Sequence, residues 1–133
     1  VSERALREIY LKGFEIAVRE AQPLSIMTSY NLLNGIHTAN SHDLIQGMAR
    51  DEWGFKGVVM TDWFTSQDMP MITGKFKPAY PISASTGCIY AGNDIQMPGC
   101  QKNVDDIVEA VKREKRLMDI KSRKQIYSLM RQM

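Results

Sequence analysis

The sequence predicts an α/β fold in which helices alternate with the strands of a parallel sheet. Three observations support this prediction. Helix-like and strand-like segments alternate along the 133 residues, beginning and ending with a helix. The three strand candidates recur about 33 residues apart, which suits successive βα units. One candidate, Val58-Val59-Met60-Thr61, is an unbroken apolar run, as in a parallel strand buried on both faces.

The first helix and the first strand are predicted within the N-terminal 30 residues. Apolar side chains recur at helical spacing between residues 2 and 21, with Glu and Arg on the other face. Ser2 suits the N-cap, and Pro23 ends the helix. Residues 25–30 form a short, largely apolar strand candidate, and the polar stretch 31–40 is predicted to be a loop.

The later elements repeat this order. A helix over 43–53, capped by Ser41 or Asp43, precedes a Gly-containing turn and the strand 58–61. After them come an irregular stretch, a helix, a strand and a final helix, over residues 63–82, 83–90, 94–97 and 104–113. Three strands cannot close an eight-stranded βα barrel, which typically needs about 250 residues. A chain taken from such a barrel would therefore be incomplete.

Composition indicates a globular protein. Hydrophobic residues make up 44% and charged residues 24% of the chain. The net charge of +2 is too small to indicate a nucleic-acid or anionic-membrane partner, and no apolar run predicts a membrane span. No cofactor is predicted. The first residues do not resemble a signal peptide, but a chain that begins inside a domain would lack one in any case, so the location stays unassigned, with the cytoplasm favoured.

Cysteine and histidine positions argue against a metal site. Cys88 and Cys100 form no Cys-x-x-Cys pair and are predicted to be isolated buried thiols. His37 and His42 lie in or beside the predicted loop with no third ligand evident, so they are expected to be solvent-exposed.

Each predicted strand ends in a different group of residues. Tyr30-Asn31, Asp62-Trp63 and Met97-Pro98-Gly99 stand at the three strand ends. Barrel enzymes place their reactive groups at the C-terminal ends of strands. An aspartate there with an aromatic neighbour suits a sugar ring, because the aromatic covers its apolar side while the carboxylate meets the anomeric carbon. The alternative is that Asp62 is an N-cap or loop aspartate bound to backbone N–H groups.

Several motifs in register carry a resemblance to a known family. They read SERALREIY at 2–10, MTSYN at 27–31, NG at 34–35, RDEWGFKG at 50–57, VMTDW at 59–63 and AGNDIQMPG at 91–99. Together they resemble the barrel core of glycoside hydrolase family 3, with coverage from about residue 2 to residue 111. The resemblance implies the C-terminal portion of a (β/α)8 barrel, about three βα units.

The resemblance also assigns roles. It implies that Asp62 is the nucleophile of a retaining β-glucosidase-like hydrolase acting by double displacement, and that Tyr30, Trp63 and Met27 line the pocket for the terminal sugar. Four polar residues are expected to brace the surroundings: Asn31, Asn34, Arg50 and Glu52. Asp94 is expected to be structural as well, because it stands at the start of a strand and that end faces away from a barrel's active site.

Two departures from the family bear on activity. The family's other sugar-binding residues and its general acid/base have no counterpart in this sequence, and retention needs two carboxyl groups about 5–5.5 Å apart. The isolated chain is therefore expected to be inactive. Its expected partners are a β-glucoside or related oligosaccharide, the remainder of the barrel and a downstream domain that bears the acid/base.

The second departure is the basic C-terminal segment. The match fails after Glu114, so residues 1–114 are predicted to be a partial barrel domain and 115–133 a divergent basic tail. A one-base shift of the reading frame near Lys115 permits a sequence similar to the family's usual continuation, which makes a frameshift the hypothesis for this tail. Two other functions stay open: a non-catalytic remnant that binds carbohydrate, and an interaction protein that uses the basic tail.

Overall fold

The structure is a computed structural model that describes residues 1–65 and 80–121, with side chains as far as residue 114. The chain forms two compact units, Val1–Gly99 and Cys100–Met133. Most of the predicted irregular stretch 63–82, and residues 122–133 of the predicted tail, lie outside the described residues. No helix in the described ranges is long and apolar enough to span a membrane.

The first unit contains a parallel sheet and a small hairpin. The described strands are β1 Ser25–Met27, β2 Leu32–Leu33, β3 Ile36–His37, β4 Val58–Trp63 and β5 Ile95–Met97. β4 lies between β1 and β5 and is parallel to both, while β2 and β3 form a separate antiparallel pair. The predicted α/β class with a parallel sheet is confirmed.

Strand ends differ from the predictions by a few residues. The first strand ends at Met27 rather than residue 30, because the chain turns into the hairpin beyond that point. The central strand continues two residues past its predicted end and includes Asp62 and Trp63. Asp94 itself precedes β5.

The predicted loop 31–40 is partly wrong, since it contains the β2–β3 hairpin. Asn34 and Gly35 form its two-residue turn, with φ values of 50° and 89°. Positive φ at both central residues is the type I′ geometry that Asn-Gly favours. His37 lies in β3 and His42 begins the following helix, and both are partly buried rather than solvent-exposed as expected. The Asn-Gly pair was the signal for this hairpin.

The N-terminal helical segment spans nearly the predicted residues. Its consecutive stretches are Glu3–Ala5, Leu6–Tyr10, Lys12–Ile16 and Ala17–Ala21, the second and fourth with π-helical hydrogen bonding. The Ser2 side chain accepts a hydrogen bond from the Ala5 N–H at 3.2 Å, as an N-cap does. Gln22, with a φ of 46°, ends the segment just before Pro23.

Four further helical segments follow within the described residues. They are the short 3₁₀ helix Thr38–Asn40, the helix Asp43–Glu52 with π-helical hydrogen bonding, and the α-helices Ser85–Ala91 and Gln101–Lys121. The Leu44 N–H donates to the Ser41 hydroxyl at 3.3 Å, so Ser41 supplies the predicted cap. The last helix extends past the predicted 104–113 on both sides. Cys88 is buried as expected, but Cys100 is exposed, because it precedes this helix rather than lying within a core.

The core joins one face of the sheet to the helices. Its buried members are Leu6, Val18, Ile45, Met48, Ala49, Trp53, Phe55, Val59 and Ala91. Successive side chains of a strand point to opposite faces, and in β4 Val59 and Thr61 are buried while Val58 is exposed. Asp62 therefore lies on the face of the sheet away from this core.

Candidate active site

Asp62 lies in the last third of β4, partly buried. Its Oδ1 accepts a hydrogen bond from the Trp63 N–H at 2.7 Å, and its backbone carbonyl accepts one from the Thr65 hydroxyl at 3.0 Å. The carboxylate is thus held by the next N–H of its own strand, and the turn after the strand holds the Asp62 carbonyl. This position is the C-terminal edge of a parallel sheet, where βα enzymes place their reactive groups.

A β-bulge lies at the same position. Met60 pairs with Ile95 and Trp63 with Met97, so three steps along β4 match two steps along β5. Beyond the bulge Phe64 has a φ of 60° and its N–H donates to the Met97 carbonyl at 2.6 Å. Bulges re-aim side chains and are common beside active sites. A non-glycine residue at positive φ is strained, and such strain also concentrates at functional sites.

Tyr30 lies next to Asp62 in space although the two are distant in sequence. Tyr30 follows β1, and β1 is the neighbour of β4 in the sheet. The pKa of the Tyr30 phenol is raised, first by desolvation and then by a hydrogen bond to the Asp62 carboxylate and by its negative charge. Ionisation of Tyr30 would therefore place a second negative charge close to the Asp62 carboxylate.

Trp63 and Met27 are placed at the same edge of the sheet. The Trp63 side chain is 54% exposed and its ring lies 6.2 Å from that of Phe64, tilted by 46°. Met27 ends β1, is exposed, and pairs in register with Met60 on the strand that carries Asp62. The structure thus brings all four predicted residues, Met27, Tyr30, Asp62 and Trp63, to the ends of two adjacent strands.

The loop after β1 is braced by residues that sequence reasoning missed. The Thr38 hydroxyl donates to the Ser29 carbonyl at 2.5 Å and accepts from the Ser29 N–H at 3.1 Å. The Ser29 hydroxyl in turn donates to Asn31 Oδ1 at 2.5 Å, which agrees with the bracing role expected of Asn31. The hairpin brings residue 38 back to residue 29, so the Asn-Gly turn was the available signal.

Arg50 and Asp94 hold together the N-terminal ends of the strands, opposite the end where Asp62 lies. Arg50 Nη2 lies 2.7 Å from Asp94 Oδ2, and that oxygen also accepts from the Val59 N–H at 2.8 Å. Arg50 donates further to the carbonyls of Gly57 and Gly92, at 3.2 and 3.3 Å. These contacts join β4 and β5 where they begin, which places Asp94 at the far edge from Asp62 and agrees with the structural role expected of it.

Glu52 joins two helices. Arg7 Nη2 donates to Glu52 Oε1 at 2.8 Å, and Arg19 donates to the Glu52 carbonyl at 3.0 Å. The hydrogen bond from Arg7 lowers the pKa of Glu52. Asn34 Nδ2 similarly donates to the Val1 carbonyl at 2.9 Å. Within the described ranges no group of three or more His, Cys, Asp or Glu residues is arranged to hold a metal ion.

Comparison with models of known families identifies the family of this chain. The model of the glycosyl hydrolase family 3 N-terminal domain matches residues 1–126. The chain belongs to glycosyl hydrolase family 3. Among solved structures of the family, β-glucosidase 3B from Thermotoga neapolitana, in complex with glycerol, superposes with a TM-score of 0.69 at 39% identity, over 86% of this chain and 15% of that one.

Curated relatives in family 3 carry several activities. Beta-glucosidase B of Emericella nidulans is 40% identical over 114 residues, which are 84% of this chain and 12% of the relative. The exo-alpha-(1->6)-L-arabinopyranosidase of Bifidobacterium breve is 54% identical over 68 residues, 51% of this chain and 9% of the relative. The chain therefore spans a small part of the length of the family 3 proteins it matches.

Proposed function

We propose that this chain carries the catalytic nucleophile of a retaining, exo-acting glycoside hydrolase of the β-glucosidase type. The observation that supports it best is the juxtaposition of the Asp62 carboxylate with the Tyr30 phenol at the C-terminal edge of a parallel sheet. The proposed architecture is the C-terminal portion of a (β/α)8 barrel, formed by residues 1–114, because three parallel strands with intervening helices are what about three βα units of a barrel provide.

The proposed reaction is a double displacement. The Asp62 carboxylate attacks the anomeric carbon of the terminal sugar and forms a glycosyl ester, while a carboxylic acid protonates the departing glycosidic oxygen. The same group, now a carboxylate, then removes a proton from water, and the hydroxide that results releases the sugar from Asp62.

Residues beside Asp62 have separate tasks in this reaction. The Tyr30 phenol orients the nucleophile and stabilises its charge by donating a hydrogen bond to it. The exposed ring of Trp63 covers the apolar face of the sugar, and Met27 forms a wall on the neighbouring strand. The substrate we propose is a terminal β-linked glucose. Its support is the β-glucosidases among the relatives.

The acid/base must come from elsewhere. Asp94 is bound to Arg50 at the opposite edge of the sheet, so it does not serve. We propose that the remainder of the barrel and a downstream domain complete the site, and that the 133-residue chain alone is inactive. Purified chain incubated with an aryl β-glucoside should release no aglycone above a matched Asp62→Asn control. Turnover that depends on Asp62 would contradict this expectation.

A chimeric enzyme tests the nucleophile itself. Residues 1–114 would replace the matching segment of the Thermotoga neapolitana β-glucosidase 3B, which superposes on this chain with a TM-score of 0.69 at 39% identity. Asp62→Gly should abolish hydrolysis of an aryl β-glucoside, and azide should restore turnover and yield a glycosyl azide of inverted configuration. Asp51→Asn, a change at an exposed helix residue bound to Gln46, is the control and should leave activity unchanged. An active Asp62→Gly enzyme without azide would refute the assignment.

The tail after Glu114 remains a frameshift proposal. The nucleotide sequence of the coding region and its flanks tests it. A shifted frame that continues into a second domain with a candidate acid/base would support the proposed hydrolase. Stop codons or unrelated sequence on both flanks would instead favour the second candidate function, a non-catalytic fragment that binds carbohydrate.

That second candidate draws on the exposure of Trp63 at a sheet edge. It predicts weak sugar binding by the isolated chain without turnover. Titration with glucose, followed by tryptophan fluorescence and by calorimetry, should then give a signal that Trp63→Ala removes. Binding that survives this substitution would exclude the site at Asp62.

A further inference from the structure

The bulge at Asp62 is held in part by a side chain. The Met97 N–H donates to the Thr61 hydroxyl at 3.0 Å. Thr61 is fully buried, at 0% exposure, on the core side of β4. The hydrogen bond is partly buried, and at the register shift between β4 and β5 a side chain rather than a backbone carbonyl accepts from this N–H.

Hydrogen bonds of the residues after Thr61 connect this contact to Asp62. Asp62 is the next residue, and its carboxylate accepts from the Trp63 N–H at 2.7 Å. One residue further, the Phe64 N–H donates to the Met97 carbonyl, so both polar groups of the Met97 backbone hold the bulged segment. Asp62 and Trp63 thus lie between two residues, Thr61 and Phe64, that are both hydrogen-bonded to the backbone of Met97 on β5.

We propose that Thr61 is a positioning residue that fixes the direction of the Asp62 carboxylate by holding the β-bulge through its hydroxyl. This inference rests on the proposed function, because the direction of the Asp62 carboxylate matters for catalysis only if Asp62 is the nucleophile. The positioning of the carboxylate by Thr61 can be tested without catalysis. Thr61 touches no substrate. It acts through Met97 and the backbone.

The chemistry of the contact predicts which substitutions matter. Valine has the shape of threonine but offers no acceptor to the Met97 N–H, so Thr61→Val should loosen the bulge. Thr61→Ser keeps the hydroxyl and should preserve it. Thr28 supplies a matched control, because it is a buried threonine just after β1 whose hydroxyl lies a longer 3.4 Å from the Met60 carbonyl, on the β1 side of β4 rather than between β4 and β5.

The experiment uses the 133-residue chain and two measurements. Amide hydrogen exchange at Met97 reports the contact, and NMR titration of tyrosines labelled at Cζ, with Tyr30→Phe for assignment, reports whether Asp62 still faces Tyr30. Thr61→Val should raise Met97 exchange by about tenfold, the effect of one lost buried hydrogen bond, and should move the Tyr30 pKa back toward its ordinary value. Thr61→Ser and Thr28→Val should change neither.

Each outcome decides the proposal. A folded Thr61→Val protein that keeps the raised Tyr30 pKa overturns it. If the valine variant does not fold, Thr61→Ser still decides, because a folded serine variant that loses the Tyr30 shift overturns the proposal and one that keeps it supports it. In the chimeric enzyme Thr61→Val should lower kcat at least tenfold with little change in KM, and serine should restore it. Failure of the nucleophile assignment would appear separately, as activity in Asp62→Gly.

Discussion

Asp62 and Tyr30 show how two distant residues form one chemical unit. Neither position is unusual alone, since an aspartate after a strand often binds backbone N–H groups, as Asp62 does with Trp63. The parallel pairing of β1 with β4 places the phenol beside the carboxylate. The charge of the nearby Asp62 carboxylate adds to desolvation in raising the pKa of the Tyr30 phenol, so the phenol stays neutral beside it.

Substituting Asp62 should lower the pKa of Tyr30. In Asp62→Asn the neighbouring negative charge is gone, so the phenolate is less disfavoured, and the part of the shift due to desolvation remains. The Tyr30 pKa should therefore fall but stay above its ordinary value. NMR titration of Cζ-labelled tyrosine measures it, with Asp51→Asn as the control. An unchanged Tyr30 pKa in Asp62→Asn would show that the two groups do not interact.

Close backbone contact beside β4 determines where the strand lies. Gly57 directly precedes β4, and a Cβ atom at this position would lie 2.4 Å from the Leu24 carbonyl oxygen, too close for any other residue. The Val58 N–H donates to that same carbonyl at 2.9 Å. The approach of the segment before β1 to the start of β4 is thus possible because residue 57 has no side chain.

Gly57→Ala should destabilise the fold. Either the Leu24 backbone or β4 must move, at a cost of about 1–3 kcal/mol in the free energy of unfolding. Gly13 is the matched control, because no atom lies within 4 Å of its added Cβ and it is in a helix. Gly13→Ala should be neutral or stabilising by about 0.5–1 kcal/mol. Urea denaturation measures both, and equal effects at the two positions would contradict this account of the strand contact.

Sequence patterns gave the elements better than the connections between them. The helix over 2–21 and the apolar strand were readable because periodicity and local propensity agree there. The bulge at Asp62 was not, because it depends on the register with β5, which lies about 30 residues further along. The hairpin was readable from Asn34-Gly35 but was missed because the flanking strands have two residues each.

The described part of the chain exposes an unpaired strand edge and several large apolar side chains. In the described residues β1 pairs with β4 alone, which leaves its other edge without a strand. Large apolar side chains are exposed nearby, including Leu24 at 89% and Ile9 and Phe14 on the N-terminal helix. A strand edge with adjacent apolar surface is a site of association. The proposed barrel origin explains this surface, since neighbouring βα units would cover it.

The isolated chain should therefore associate as its concentration rises. Sedimentation velocity over a range of concentrations should show a mass that rises with concentration, and thermal unfolding should be broad or irreversible. Leu24→Lys and Ile9→Lys should reduce association by placing charge on this surface. A monomer at all concentrations with a sharp, reversible transition would contradict the view that the surface belongs against missing strands.

In the proposed reaction Asp62 forms a covalent bond to the sugar. The most direct test treats the chimeric enzyme with an activated 2-deoxy-2-fluoro-β-glucoside, which allows the glycosyl ester to form and slows its hydrolysis. Peptide mass spectrometry then locates the adduct. We predict a fluoroglucosyl group on Asp62, absent from Asp62→Asn and present in Asp51→Asn. A stable adduct on any other residue, or an unchanged adduct in Asp62→Asn, would contradict it.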